Sequence, residues 1–440
     1  MSSRASTLLD VNAQDLWTSL LADQVPEDEL QSVLNMHFGG SRQVDESRIE
    51  FSRHSEEGED HVALILTYKA ATLQKIDAGP ALTAEDVAQV SQRVRQASLG
   101  DEFEVDRTWL FSSLRVDGWW RFQDRLQILP PPANAPSIPY AVGMHPFVLE
   151  VAVRKSEDPL IRQIRWHRAQ REAGLLLGVF IHGNLRLPVE VSTKHWMLVP
   201  EGSLEAPASV ASRYLQEGFV VDGFLLAAPA FAPTEAMPAI PTADDVRYYS
   251  VAGLEAGKKM ILPESLATLL TAYYSLTAAS RRAFLRSCYW FHHSRVVYSV
   301  SGSASYLALI SAIESLSPDE HGPPCPNPDC QKPLGKGPTA RFRDFLETFA
   351  PGLATKPQRG RLYELRSQLV HGGHLMRRDV EGGWAGLRPD ATAEMTDADR
   401  AAMVTRIALI SWLIGQAASA GRVADPRGPG LRSREDEGNA

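Results

Sequence analysis

Apolar residues recur at two different spacings along this chain, and the spacing changes near its middle. In the first half, short segments alternate apolar with smaller or polar residues, which is the two-residue period of a half-buried β-strand. These segments are 48–53, 61–68, 108–122 and 147–153. A helix is predicted to begin after Thr83, because Asp86 three residues later completes a pair that resembles a capping box. The first half therefore predicts an α+β fold.

The second half carries the helical period instead. Its predicted helices are 264–276, 278–298, 303–316, 340–349, 359–371 and 397–418. In the last of them, apolar residues fall on one helical stripe. They are Met403, Val404, Ile407, Ile410, Leu413 and Ile414. We therefore predict that an all-α bundle follows the α+β region.

A proline-rich stretch separates the two halves. Residues 228–244 contain four prolines, which remove backbone donors and disfavour helix in the residues before them. This pattern predicts an α+β domain of unknown, sensory or regulatory role at 1–228 and a linker at 229–245. The helical domain then covers 246–421, and a tail rich in proline, glycine and charge at 422–440 is predicted to be disordered.

Length and composition support folded domains without a membrane segment. The chain has 440 residues, of which 44% are hydrophobic, enough for two or three cores. No apolar run reaches the ~18 residues of a membrane span, and the first ten residues lack the apolar block of a signal peptide. We therefore expect a cytoplasmic protein. The odd count of three cysteines argues against a disulfide framework.

Charge restricts any nucleic-acid contact to one region. The formal net charge is −8, which excludes a surface that is basic throughout. Residues 1–60 hold 13 acids and 4 bases, whereas residues 341–378 hold 8 bases and 3 acids. The second segment is therefore the one expected to meet phosphate. Arginines account for 36 of the 45 basic residues, which suits bidentate phosphate contacts but also fits a GC-rich genome.

An arginine and a histidine near the end of a predicted helix form the strongest motif. Arg366 and His371 are separated by four residues, a spacing that also arises by chance among so many arginines. Four other pairs lie at similar spacings: Arg48 with His54, Arg162 with His167, and Arg286 with His292 or His293. Context favours Arg366 and His371, because Gly372 and Gly373 follow and glycine readily closes a helix.

The surroundings of this motif resemble a known family. The sequence SYLALISAIESL is followed by a cysteine-bearing loop, then FRDFLETFA, then LYELRSQLVHGG, then a long closing helix. This ordered set is similar to the Apea-like branch of HEPN domains. The resemblance extends over about 155 residues, roughly a third of the chain, from 262 to 418. Residues before 228 resemble no family that we can name.

The resemblance implies a metal-independent endoribonuclease in which two copies of the motif meet across a homodimer. It assigns proton transfer to His371 and the phosphate clamp to Arg366, with Glu314 placed to orient either one. No cofactor is implied for catalysis. The basic segment would supply RNA contacts from Arg341, Arg343, Arg361 and Arg377. By analogy, such a protein acts as a bacterial toxin or anti-phage effector, with the N-terminal domain sensing a trigger or restraining the nuclease.

A second hypothesis belongs to a different class. Many family members place Asn, Asp or His directly after the motif arginine, whereas this chain has Ser367. The helical domain would then be a non-catalytic module that binds RNA or nucleotide, or scaffolds a complex. If the pair of Arg366 and His371 has no function, His371 only caps a helix and Arg366 pairs with Glu314 or Glu364.

The cysteine-bearing loop is a candidate structural zinc site. Cys325 and Cys330 supply two thiolates and His321 a third ligand, but a tetrahedral site needs four. Cys288, His292 and His293 complete it only if the helices bring them near. The alternative is a proline-braced loop with free thiols.

Overall fold

Helices and strands alternate in the first half of the structure, and helices dominate the second. The structure, a computed structural model, describes residues 26–54, 60–69, 72–98, 102–135, 144–187, 190, 221, 223–250, 258–317, 335–381 and 389–419. Within these residues it contains 11 helices and three small sheets. The chain divides into two compact units, 1–106 with 152–169 and 227–230, and 107–151 with 170–226 and 231–440.

The first unit contains a four-stranded antiparallel meander. Its strands are β1 (Ser41–Asp45), β2 (Arg48–His54), β3 (Asp60–Lys69) and β4 (Thr72–Ala78), which lie side by side in chain order. Helices α1 (Glu27–Phe38) and α2 (Ala84–Ser98) share its core, where Leu34, Phe51 and Leu64 are fully buried. Apolar side chains from alternate strand positions build this core because successive strand residues point to opposite faces.

The predicted start of α2 is confirmed. The amide of Asp86 donates to Thr83 Oγ1 at 3.1 Å, and the amide of Thr83 donates to Asp86 Oδ2 at 2.9 Å. These reciprocal bonds satisfy backbone donors that a helix leaves without internal partners. The predicted strands 48–53 and 61–68 are also confirmed, as β2 and β3.

A second sheet has five strands in the order β6-β7-β8-β5-β9. They are β5 (Phe103–Ser112), β6 (Trp120–Phe122), β7 (Leu126–Leu129), β8 (His145–Arg154) and β9 (Ala227–Ala228). The predicted strand 147–153 is confirmed within β8. The prediction of one strand over 108–122 is wrong, since β5 ends at Ser112 and β6 begins at Trp120. A Cβ at Gly118 would lie 2.6 Å from the carbonyl oxygen of Pro238, so the intervening turn needs glycine.

The proline-rich segment does not behave as the predicted linker 229–245. The amide of Ala232 donates to the fully buried Glu150 at 3.0 Å, and the amide of Trp119 donates to the Pro238 carbonyl at 2.9 Å. Strand β10 (Thr242–Ala243) then pairs in parallel with β11 (Leu262–Pro263). Prolines lack donors but keep carbonyls, and here neighbouring residues tie the segment to the protein. The compact units accordingly do not divide at residue 228.

Three further elements of this region carried no clear signal in the sequence. Helix α3 covers Pro159–Phe180, strand β9 (Ala227–Ala228) lies antiparallel to Val105 and Asp106, and a short α4 covers Asp245–Ser250. The buried run 175–177 in α3 consists of three consecutive leucines. Such a run shows neither the helical nor the strand spacing of apolar residues. The sequence pattern therefore did not predict this helix.

All six predicted helices of the second half are present. The last one begins at residue 389, eight residues earlier than predicted, and every other bound agrees to within three residues. The bundle consists of α5 (Leu266–Ser275), α6 (Ala278–Val297), α7 (Gly302–Glu314), α8 (Pro338–Phe349), α9 (Lys356–Val370), α10 (Arg377–Val380) and α11 (Pro389–Ser419). Helix α11 packs against α5, α6, α7 and α8. Val404, Leu409 and Leu413 of α11 are fully buried.

Helix α11 is apolar because it is the core helix of the bundle. Its residues 392–419 are long and apolar enough to cross a membrane by length and composition alone, with a mean hydropathy of 1.4 in the most apolar window. Half of that window is buried inside the protein. Burial against four helices accounts for the composition, as it does in the central helices of bundles.

Candidate functional site

A cleft of about 760 Å³ opens in the helical bundle, beside the end of α7 and the start of α8. Three arginines line it: Arg286 from α6, Arg341 from α8 and Arg366 from α9. Glu314, the last residue of α7, also lines it. Among the described residues that line the cleft, three guanidinium groups face one carboxylate, so this lining is positive although the whole chain carries a net charge of −8. The cleft therefore favours an anionic ligand.

Arg366 is held in place by two residues, Glu314 on the neighbouring helix α7 and Tyr363 on its own helix α9. Its Nη2 lies 3.3 Å from Glu314 Oε2, and its guanidinium lies 5.5 Å from the centre of the Tyr363 ring. The Tyr363 hydroxyl donates to Glu314 Oε1 at 3.4 Å. Burial, and after it the charge of Glu314, raises the pKa of Tyr363, so the hydroxyl keeps the proton it donates. These contacts fix the direction of the guanidinium.

Local sequence explains why Arg366 faces the cleft. Leu362 and Leu369 are buried and face the bundle, while the predicted third member of this stripe, Leu365, is half-buried. Arg366 lies four residues after Leu362 yet keeps 28% of its side chain exposed. The buried hydroxyl of Tyr306 on α7 donates to the Leu362 carbonyl at 2.7 Å and locks α9 against α7. Arg366 and Glu314 therefore meet, an arrangement that fits both the orienting role of Glu314 and the alternative of a plain ion pair.

The C-terminus of α9 closes as the two glycines predicted. Gly372 has a φ of +70°, the left-handed conformation, and directly follows the C-cap residue His371. The Gly373 amide donates to the Gln368 carbonyl at 3.1 Å, and the Gly372 amide donates to the Leu369 carbonyl at 3.3 Å. This pair of bonds is a Schellman motif.

His371 does not share the cleft of its own chain. The His371 side chain is exposed, and His371 is not among the described residues that line the cleft. Five residues along a helix correspond to a rotation of about 140° and a rise of roughly 7.5 Å. Arg366 and His371 of one chain thus face different surroundings: the arginine lies in the cleft and the histidine at the helix end.

Helix position separates this pair from the four others of similar spacing. Arg48 and His54 lie in strand β2, and Arg162 and His167 lie inside α3. Arg162 there pairs with Glu104 at 3.1 Å. The pairs formed by Arg286 with His292 or His293 lie inside α6. Among these five pairs, all within the described ranges, only His371 caps a helix C-terminus.

Of the four arginines predicted to contact RNA, one lines the cleft and three do not. Arg341 lines the cleft together with Arg366. Arg343 instead lies against Gly360 of α9, with its Nη2 3.3 Å from the position that a Cβ would occupy. Of these two arginines of α8, only Arg341 therefore contributes to the described lining of the cleft.

The remaining two predicted contacts are engaged in ion pairs. Arg361 Nη2 lies 2.9 Å from Asp397 Oδ2, and Arg377 Nη1 lies 2.7 Å from Glu381 Oε1. Both arginines keep part of their side chain exposed, so these pairs are weak and accessible. Neither residue lines the cleft.

Sequence reasoning missed two residues of the cleft, Arg286 and Trp290. Both lie on α6 and are four residues apart, which places them on one face of the helix. Arg286 Nη2 also donates to the Ser315 carbonyl at 3.1 Å. The available signal was an arginine and a tryptophan one turn apart, but only the packing of α6 against α7 turns that face toward Arg366.

The segment after His371 is fixed to the start of α7. Asp379 accepts from the amides of Gly302 and Ser303 at 2.6 and 2.8 Å and from the Ser301 hydroxyl at 2.9 Å. Burial opposes ionisation here, but the bonds from Ser303, Gly302 and Ser301 prevail and lower the pKa of Asp379. A charged carboxylate at a helix N-terminus is also favoured by the helix dipole.

The predicted zinc ligands Cys325, Cys330 and His321 lie outside the described residues. Cys288 is buried as a free thiol, and burial raises its pKa. His292 binds Glu190, with Nε2 2.7 Å from Oε2, and the His293 ring stacks on Tyr289. Among the described residues, no group of three or more His, Cys, Asp or Glu is placed to hold a metal ion.

Comparison with known proteins adds no relative. Neither a family model, nor a curated protein, nor a solved structure matches this chain. What can be said of function therefore depends on the residues of the cleft and on the motif at the end of α9.

Proposed function

We propose that the helical region is a HEPN-type, metal-independent endoribonuclease whose cleft holds the RNA phosphate. One observation supports this most: Arg366 of the motif lies in a cleft with two further arginines and is oriented by Glu314. An arginine held by a carboxylate and an aromatic ring presents its remaining donors to a phosphate in a fixed direction.

The proposed reaction uses the neighbouring hydroxyl of the RNA itself. The 2'-oxygen attacks phosphorus, the bond from phosphorus to the 5'-oxygen breaks, and a 2',3'-cyclic phosphate forms. One proton leaves the 2'-hydroxyl and one proton joins the departing 5'-oxygen, so a group that transfers protons is needed. His371 fills that role, and Arg366 stabilises the charge on the non-bridging oxygens.

A dimer would supply the histidine that the cleft lacks. His371 is surrounded in sequence by apolar residues with exposed side chains: Val370 is 49%, Leu375 57% and Val380 67% exposed. We infer that these exposed apolar side chains, which lie within 370–380, form the contact surface of a dimer. A twofold contact there would bring together the two copies of Arg366 and His371.

The dimer is testable by light scattering. We expect a mass of about 97 kDa, twice the 48.4 kDa of one chain. The double substitution Val370→Asp and Leu375→Asp should give a folded monomer that no longer cuts RNA, because charged side chains oppose burial of this surface. A wild-type monomer at micromolar concentration in the presence of RNA would contradict the composite site.

A second candidate function is binding without cleavage. It is favoured by the exposed position of His371 outside the cleft and by Ser367 after the motif arginine. The cleft would then bind RNA or nucleotide, or the region would scaffold a complex. The broader role, a cytoplasmic toxin or anti-phage effector whose N-terminal region senses a trigger or restrains the nuclease, is proposed by family analogy and belongs to the cleaving function.

Cleavage by the wild-type protein separates the two functions. We expect purified protein to cut single-stranded RNA in the presence of EDTA and to leave 2',3'-cyclic phosphate ends, since no step needs a metal. End analysis of the products by mass spectrometry measures this. If the protein binds RNA and never cuts it, the binding function replaces the nuclease.

A further inference from the structure

Trp290 lies in the same cleft as the three arginines and has no role in the proposed reaction. We propose that its indole is a stacking platform for one unpaired base, so that the cleft selects single-stranded over duplex RNA. This inference rests on the proposed function and specifies its substrate class.

No described ring lies parallel to the indole of Trp290. Among the described residues, its two aromatic neighbours, Tyr289 and His293, lie at interplanar angles of 67° and 81° to the indole. Both contacts are edge-to-face, so neither ring lies parallel to the indole as a stacked base would. The side chain itself is half-buried, which holds it in place while leaving part of it accessible.

Charge and size fit a nucleotide around this platform. Arg286 lies one helical turn from Trp290, and Arg341 and Arg366 line the same cleft. A volume of about 760 Å³ lies within the range of clefts that enclose ligands of nucleotide size. The fully buried Phe342 is one of the residues that line the cleft. An aromatic ring beside several arginines is the combination by which proteins bind single strands, with stacking for the base and charge for the backbone.

Base pairing would prevent this contact. In an RNA duplex each base is stacked inside the helix, and a protein reaches mainly phosphates and 2'-hydroxyls. Only a base that is free of its partner can lie on the indole. Loops, bulges and single strands are therefore the expected substrates, and a continuous duplex should bind through charge alone.

The test compares Trp290→Ala with Trp290→Phe, using fluorescence-polarisation binding to three RNAs of equal phosphate count. The probes are a short single-stranded oligoribonucleotide, its abasic analogue and a duplex. We expect Trp290→Ala to bind the single strand about 5- to 150-fold more weakly, the loss that one stacked base explains, with Trp290→Phe closer to wild type. Neither change should affect the abasic analogue. Phe103→Ala, which removes an exposed aromatic ring outside the cleft, should change nothing.

The outcomes separate the inference from the proposed function. If wild type cuts RNA but Trp290→Ala binds the single strand equally well, or if duplex binds as tightly as single strand, the stacking platform is wrong and the nuclease stands. If wild type neither binds nor cuts RNA, the proposed function fails first. Should Trp290→Ala not fold, equal wild-type affinity for the oligoribonucleotide and its abasic analogue would overturn the inference.

Discussion

Replacing His371 by alanine is expected to lower the rate of RNA cleavage by at least ~100-fold, the low end for the loss of a positioned acid or base. The proposed reaction moves two protons, and His371 is the group assigned to that transfer at the end of α9. Single-turnover cleavage of a labelled oligoribonucleotide measures the chemical step without product release. RNA affinity should change little, because the phosphate is held by arginines.

The fold should survive this change. His371 is exposed and caps α9 through its backbone, so its side chain adds only roughly 1 kcal/mol through the helix dipole. Two histidines serve as controls. His374 lies three residues further on and pairs with Glu394 at 3.3 Å, and His167 has the same spacing from an arginine inside α3. Alanine at either position should leave cleavage intact; equal losses at 371 and 374 would indicate a structural effect.

Replacing Arg366 by alanine is expected to abolish cleavage to a similar extent, at least ~100-fold, because charge is removed from the phosphate as it reacts. Arg366→Lys should recover little activity, since a single ammonium cannot reproduce the planar fork of donors. The loss should appear in the cleavage rate under saturating RNA, measured alongside the binding affinity. Arg286 and Arg341 remain in the cleft and retain part of that affinity.

Stability should be nearly unchanged in the Arg366 variants. The pair with Glu314 is about 3.3 Å long and partly exposed on both sides, so its loss costs about 0.2 to 1 kcal/mol. Arg162→Ala is the matched control, because Arg162 also pairs with a glutamate but lies inside α3. A protein carrying both Arg366→Ala and His371→Ala that still cuts RNA at the wild-type rate would exclude the proposed site.

Local sequence determined most of the helical bundle. The six helices were predictable because apolar spacing depends only on residues within the same helix. Residues close in sequence also determine where α9 begins and ends. Thr355 and Gln358 form a capping box at its start, and Gly372 takes the left-handed conformation at its end. The meeting of Arg366 with Glu314 was expected in two ways, as the orienting contact that the family resemblance implies and as a plain ion pair without any function.

Tertiary structure alone decided where the proline-rich segment lies and what else lines the cleft. Proline content indicated a linker, but the buried carboxylate of Glu150 needs donors, and the distant amide of Ala232 is one of them. Arg286 and Trp290 join Arg366 because α6, α7 and α9 pack together. The spacing of apolar residues predicts a helix or strand from residues that are close in sequence. The features named here depend instead on contacts between residues far apart in sequence.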